Sequence, residues 1–396
     1  MDSQTFIETY YQERQNSDSL KWDALVERFG DKDLLPLWVA DSDFSTDSQI
    51  KQALVERIEH GIFGYSTTPK DYVAAYQGWL DRHEKTQVEA KWLTFSTGVV
   101  QSLYDLIACF TQEEDAVLIQ PPVYYPFYNA INDQKRQLIE APLKNEAEHY
   151  TIDFEQLESI FANQEIKLFI FCSPHNPVGR VWTKDEVTRV MSLCEQYGVF
   201  LIADEIHSDL VLIDRPFVSA LTIAKEIGFT QLAVCNAPSK TFNFAGLLNS
   251  HIWIIDEDVR QRFFDWSKVH RQTELSVLGQ VAAKTAYAKS DEWLASFLSV
   301  VKINEQYIRQ TLRASYPDIE IAPLEGTYLL WIDLAKVLHG EVKTLVQDKA
   351  KLAIDFGEWF SKDYATYIRI NLATKPEIIQ KAVTQLIHAI DKEANI

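Results

Sequence analysis

Several short stretches hold side chains whose chemistry is out of keeping with their apolar surroundings. Lys240, in Asn236-Ala237-Pro238-Ser239-Lys240-Thr241-Phe242, follows the apolar run Gln231 to Cys235, which places an amine where a buried strand is expected to give way to a loop. An amine held in a dry cleft loses part of its preference for the charged form, and a neutral lysine condenses with a carbonyl. A surface lysine after an edge strand has the same local sequence. Asp204 closes the run Val199 to Asp204, where a carboxylate is costly unless paired. Facing a protonated ring nitrogen, it would form a charge-assisted hydrogen bond. Metal ligation by Asp204, Glu205 and His207 is the competing use, but no second group of ligands accompanies them, and no metal is expected.

Three further stretches stand at the ends of apolar runs. Ser96-Thr97-Gly98-Val99-Val100 ends a strand and opens a helix. Backbone N–H groups at a helix N-terminus favour an anion, and Gly98 permits its close approach; an ordinary strand-to-helix turn reads the same way. Pro121-Pro122-Val123-Tyr124-Tyr125-Pro126 offers an aromatic face that can stack on a flat heterocycle or pack in a core. In Cys172-Ser173-Pro174-His175-Asn176-Pro177, proline-flanked Asn176 can present its amide to an oxygen, or only form a turn. Combined, the set comprises an anion cradle, an aromatic plate, an amide, a carboxylate and a lysine. Pyridoxal 5'-phosphate has a matching feature for each: phosphate, ring face, phenolic oxygen, ring nitrogen and aldehyde.

The elements that must position these groups follow from periodicity. Strand-like runs are expected at Leu93 to Ser96, Ala116 to Ile119, Lys167 to Cys172, Val199 to Asp204, Gln231 to Cys235 and His251 to Ile255. Between them lie helical patterns at Val99 to Phe110, Phe154 to Phe161 and Lys184 to Tyr197. Runs that are continuously apolar rather than alternating suit strands covered on both faces. The expectation is an α/β fold, a three-layer sandwich with a mainly parallel sheet, whose ligand lies at the carboxyl ends of the strands. Upstream, Ile50, Leu54, Ile58 and Ile62 repeat at helical spacing, and a second amphipathic stretch runs from Asp71 to His83. Downstream, long helices at Val259 to Val269, Ser276 to Ala288 and Glu292 to Ser315 precede short strands at Tyr328 to Asp333 and Tyr367 to Leu372, then a terminal helix from Pro376. These suit a smaller α+β domain. The division expected is 1–48 as an arm and part of the small domain, 49–290 as the large ligand-binding domain, and 291–396 as the small domain.

Composition excludes some partners. A chain of 396 residues with a formal net charge of −19 lacks the basic face that a phosphate backbone requires, so no nucleic acid is expected. No apolar run reaches the ~18 residues of a membrane span, and the first residues do not read as a secretion signal. A cytoplasmic location is expected, with Cys109, Cys172, Cys194 and Cys235 reduced and buried.

The motifs Ser173-Pro174-His175-Asn176-Pro177-Val178-Gly179-Arg180-Val181-Trp182, Asp204-Glu205-Ile206-His207-Ser208-Asp209 and Pro238-Ser239-Lys240-Thr241-Phe242-Asn243 resemble those of fold-type I pyridoxal-phosphate enzymes, the aspartate aminotransferase-like superfamily. Within it the chain is most similar to the MalY/PatB-type cystathionine beta-lyases, or C-S lyases. Trp38-Val39-Ala40-Asp41, Glu325-Gly326-Thr327-Tyr328 and Tyr367-Ile368-Arg369-Ile370-Asn371 extend the likeness over almost the whole chain. The resemblance implies that Lys240 carries the cofactor aldehyde, Asp204 pairs with the pyridine nitrogen and Asn176 holds the ring hydroxyl. It implies that Tyr124 stacks on the ring, with Ile206 and His207 near the other face. Val99, Val100 and Ser239 would bind the phosphate with Tyr65 of a second subunit, so a homodimer with a shared site is implied. Arg369 would clamp the substrate α-carboxylate, with Ala40 and Asn176 beside it. One departure stands out: the wider aminotransferase pattern has a phosphate-binding arginine eight residues beyond the lysine, and Leu248 stands there. The C-S lyase branch shares that loss.

The function implied is carbon-sulfur β-elimination from cystathionine or another cysteine S-conjugate, with Lys240 as base and Tyr124 as a donor to the departing sulfur. Transamination is the nearest alternative. For a dicarboxylate it would need a second cation, for which Arg180 and Arg271 are the candidates. A regulatory protein that uses the same site to sense a ligand is an alternative of another class.

Overall fold

The computed structural model describes residues 1–270 and 276–394. Seven strands form the central sheet, in the order Leu93–Ser96, Ser250–Trp253, Leu232–Asn236, Phe200–Asp204, Ile166–Cys172, Ala116–Ile119, Gln137–Glu140. Only Ser250–Trp253 runs against its neighbours. The central strands are buried residue after residue, for example throughout Phe200–Asp204 and Leu232–Asn236. That two-sided burial is why their sequences are continuously apolar.

The expected helices Val99–Phe110 and Lys184–Tyr197 form over those ranges. The second shows how the chain sets its boundaries. Thr183 caps the N-terminus and Glu186 returns a hydrogen bond to the Thr183 N–H, while Gly198 ends the helix in the left-handed region at φ 66°. The edge strand Gln137–Glu140 and the hairpin Lys144–Glu146 with His149–Thr151 were not expected. Gln137–Glu140 has no fully buried residue, so it lacks the apolar run that marks its neighbours.

A smaller antiparallel sheet has the order Glu320–Ile321, Leu329–Asp333, Tyr367–Asn371, Asp355–Phe356. Helices Asp291–Ser315 and Pro376–Ala394 pack together beside it, and the first helix, Ser3–Tyr10, packs on Asp291–Ser315 through Phe6, Tyr10 and Trp293. The segment after this arm joins both sheets. Leu35–Pro36 pairs in parallel with Leu352–Ala353. A few residues on, Asn243 donates to the carbonyls of Ser42 and Phe44, and Asn371 donates to those of Val39 and Asp41, both at 2.7 Å. Residues 38–44 are thereby fixed across the mouth of the central sheet.

One expected packing face is packed at one end only, where Ile50 joins the core and Leu54 lies against it. The helix Ser48–Glu59 forms, but of its expected stripe only Ile50 is buried; Ile58 is exposed, and Ile62 lies beyond the helix end and is exposed too. All four cysteines are buried and unbridged. Among the described residues no helix is long and apolar enough to cross a membrane.

Candidate active site

At the carboxyl end of the central sheet is a cavity of about 170 Å³. Most of its wall comes from the turns that follow the strands. Thr97, Gly98, Val99 and Val100 enter from the first strand and its helix, Asn176 and Cys172 from Ile166–Cys172, Asp204, Ile206 and His207 from Phe200–Asp204, and Ser239 and Lys240 from Leu232–Asn236. Tyr124 closes one side and Ala40, from the fixed segment, another. Expected residues far apart in sequence thus share one chamber. Lys240 sits in a single helical turn, Pro238–Thr241, rather than in the expected open loop; Pro238 at its first position supplies the fixed backbone that starts the turn.

The Lys240 amine donates to the Ala40 carbonyl at 2.7 Å. Burial lowers its pKa to about 8; Arg369 pushes the same way, and Asp41 and Asp204 oppose. Asp204 accepts one hydrogen bond, from the Ile206 N–H at 3.1 Å. Its neighbours on the flanking strands are Cys172 and Cys235, which are weak donors, so burial raises its carboxyl to about 7 against the pull of the Ile206 N–H and Lys240. His207 is neutral, since burial lowers it to about 3, and its Nδ1 has no partner among the described residues. Burial also pushes the Tyr124 hydroxyl well above the ordinary phenol range. Tyr125, paired with it in the sequence, turns instead toward Trp359 and Phe360.

Arg369 lies behind Asn176 rather than in the cavity wall. Its Nη1 donates to Asn176 Oδ1 at 2.8 Å, which leaves the Asn176 amide NH₂ free to donate elsewhere. On the other side it is paired with Asp355, by Nε at 3.1 Å and by Nη2. Tyr65 is fully exposed and does not reach this chamber in its own protomer. Arg180 is not available as a second substrate cation: Glu186 and Glu325 hold it at 3.2 and 3.0 Å, and it is buried. Arg271 lies outside the described residues. Leu248, in place of the phosphate-binding arginine, is about half exposed, and no cation among the described residues replaces it in the cavity wall beyond Lys240.

Asn249, Ala245, Asp355 and Tyr328 were not singled out as site residues by sequence reasoning. Asn249 and Ala245 line the cavity, and Tyr328 donates to the same Ala40 carbonyl as Lys240, at 2.9 Å. Asn249 follows the unusual Leu248, and that adjacency is the only signal in the sequence that could have pointed to it.

The donor set suits pyridoxal 5'-phosphate. The first N–H groups of Val99–Phe110 have no intrahelical partner, and a Cβ built on Gly98 would meet nothing within 4 Å, so the backbone faces open space there. An amine, an acid with an unfilled oxygen and a free amide complete the complement.

The chain matches the model of the aminotransferase class I and II family over residues 32–386. It is 34% identical to cystathionine beta-lyase PatB of Bacillus subtilis, over 96% of this chain and 98% of that protein. Protein MalY of Escherichia coli is 30% identical over 93% and 95%. Among solved structures, cystalysin from Treponema denticola, which contains pyridoxal 5'-phosphate, superposes with a TM-score of 0.92 at 31% identity, over 96% of this chain and 98% of that one. The pyridoxal-phosphate-bound C-S lyase of Staphylococcus hominis gives 0.89 at 29%, over 96% of each chain. With its family model matched over residues 32–386 and its fold shared with these proteins over nearly its full length, the chain belongs to the aminotransferase class I and II family.

Proposed function

We propose that this protein is a pyridoxal-phosphate-dependent carbon-sulfur β-lyase, which converts cystathionine or another cysteine S-conjugate to a thiol, pyruvate and ammonia by α,β-elimination. The observation that carries the reading is the Lys240 amine and the Asp204 carboxylate facing one cavity, together with the lyase names of the relatives that match over their full length.

Bound in this chamber, the cofactor would supply an electron sink for the bond broken at Cα. The rest falls to the chain. Lys240 would hold the cofactor through its aldehyde, and its amine, when free, is the group placed to take the Cα proton as general base. Its return point is the Ala40 carbonyl, already within hydrogen-bond distance. Asp204 would keep a proton on the ring nitrogen, and Asn176 would donate from its free amide to the ring oxygen. Ile206 and His207 would meet one face of the ring and Tyr124 the other, and the Tyr124 hydroxyl, kept protonated by burial, would give a proton to the leaving sulfur. Val99, Val100 and Ser239 would hold the phosphate through backbone and hydroxyl donors, joined by Tyr65 of the partner subunit. Arg369 receives the α-carboxylate.

The homodimer is part of this reading, supported by the exposure of Tyr65, Ile58 and Ile62. So are the division at about residues 48 and 290 and a cytoplasmic site of action, which suits four unbridged cysteines. Dicarboxylate transamination is less well served, because Arg180 is consumed by two glutamates. The test is a thiol and pyruvate assay on cystathionine without a keto acid. Turnover that appears only when a keto acid is added, with no thiol, would overturn the lyase reading. Lys240→Ala separates enzyme from ligand sensor: the visible band of bound cofactor and the thiol release are both expected to disappear, the latter by ~10³-fold or more.

A further inference from the structure

The carboxylate-binding guanidinium is gripped on one edge by an acid that the reaction itself does not use. Asp355 and Arg369 sit directly opposite each other on adjacent antiparallel strands, with Phe356 opposite Ile368 fixing the register. Both side chains are about 2% exposed. Asp355 Oδ2 accepts from Nε at 3.1 Å and from Nη2; Asn176 Oδ1 accepts from Nη1 at 2.8 Å; and the Phe360 ring lies 4.7 Å from the guanidinium carbon. A guanidinium has five N–H donors, and three are thereby taken. The two left are one on Nη1 and one on Nη2, the two terminal nitrogens of the fork, which together can meet the two oxygens of one carboxylate. Asp355 occupies the Nε–Nη2 edge, which would otherwise be the competing place for a carboxylate to dock side-on.

A buried ion pair of this kind adds little net stability compared with apolar packing, so stability alone does not account for it. Resting on the lyase reading above, we propose that Asp355 is a positioning residue for the substrate: it blocks the side-on edge of Arg369 and turns the end of the fork toward the incoming α-carboxylate. The role is one of shape more than of charge. An acceptor at the place of Oδ2 should preserve it, and a carboxylate displaced by one methylene should spoil it.

The test uses the cofactor-loaded protein and two probes that need no turnover. One is 3-(methylthio)propionate, which has the carboxylate and no amine; the other is 2-(methylthio)ethylamine, which has the amine and no carboxylate. Binding is followed by calorimetry. Asp355→Ala and Asp355→Glu are each expected to weaken the propionate by about tenfold or more while the amine changes by less than about threefold. Asp355→Asn, which keeps an oxygen in place, is expected to bind the propionate at least as tightly as the native protein. With S-methylcysteine as substrate, the Ala and Glu variants should show the loss in KM more than in kcat. Propionate binding that is unchanged in the Glu variant, or lost equally with the amine in a variant that retains its cofactor, would overturn the proposal. Should Asp355→Ala fail to fold, the contrast between Glu and Asn decides alone. Absence of thiol release by the native protein would count against the lyase reading, and the propionate titration would still decide the role of Asp355.

Discussion

Lys240 is held between two opposed influences, burial that favours the neutral amine and the acids Asp41 and Asp204 that favour the charged one. The balance at about 8 gives a direct expectation for cofactor capture. Only the neutral amine attacks an aldehyde, so the rate at which cofactor-free protein takes up pyridoxal 5'-phosphate should climb as pH rises toward 8 and level off above it. Stopped-flow absorbance across that range would check it, and a flat profile would contradict the assignment. At this scale the sequence is unevenly legible. Lys240 and Asp204 stand out because each ends an apolar run, where a charge without a purpose would be costly. Asp355 does not, because its meaning depends on which residue of a distant strand it faces. Arg180 misleads for the converse reason: its charge is visible in the sequence, but its capture by Glu186 and Glu325 is visible only once the loops are folded together.

Elements buried on two faces announce themselves, and the strands that form the cavity rim were legible to within about two residues because continuous hydrophobicity has few other uses. Elements lying partly in water do not, and Gln137–Glu140 shows why: with no buried position it has no apolar run to read. The helix Ser48–Glu59 has the opposite problem, since its stripe is real but meets the core only through Ile50 and Leu54, while Ile58 and Ile62 stay exposed. One contact between elements supports the rim itself. Gly279, in the helix Val277–Lys289, lies so close to the turn after Lys240 that a Cβ there would meet the Leu247 carbonyl oxygen at 2.4 Å and Asn249 Cβ at 3.0 Å. Backbone cannot swing aside as a flexible side chain does. Gly279→Ala should therefore cost about 1–3 kcal/mol of stability, read as a lower midpoint in urea, and should loosen the cofactor because Asn249 and Ala245 line its chamber. A variant with native midpoint and native cofactor retention would refute that coupling.

Two buried acids contribute to how the cofactor-free molecule responds to pH. Burial raises Asp204 from 3.8 to about 7 and Glu205 from 4.5 to about 8, even though Glu205 accepts from Ser219 and from the Ala220 N–H. The folded chain thus keeps protons that the unfolded chain releases. That contribution is complete below about pH 4 and is lost as pH rises through 7 to 8; the neutral, buried His175, His207 and His251 act in the opposite sense, so the share of the two acids is read as the downward part of the slope of the urea midpoint between about pH 5 and about pH 9. Asp204→Asn with Glu205→Gln should flatten the slope, and an unchanged slope would assign it elsewhere. Assembly offers a second measurement at this scale. Tyr65→Phe should leave sedimentation as a dimer intact while cofactor is lost several-fold more readily on dialysis, as expected for one hydrogen bond of about 1 kcal/mol; a monomer that still holds its cofactor fully would exclude a shared chamber. The berth of the catalytic amine has a last consequence, for the order of synthesis. Ala40 leaves the ribosome before Lys240, and Asn371, which fastens the carbonyls on either side of Ala40, leaves after both. A nascent polypeptide therefore has no finished place to rest its lysine until the strand that carries Asn371 has been made and docked.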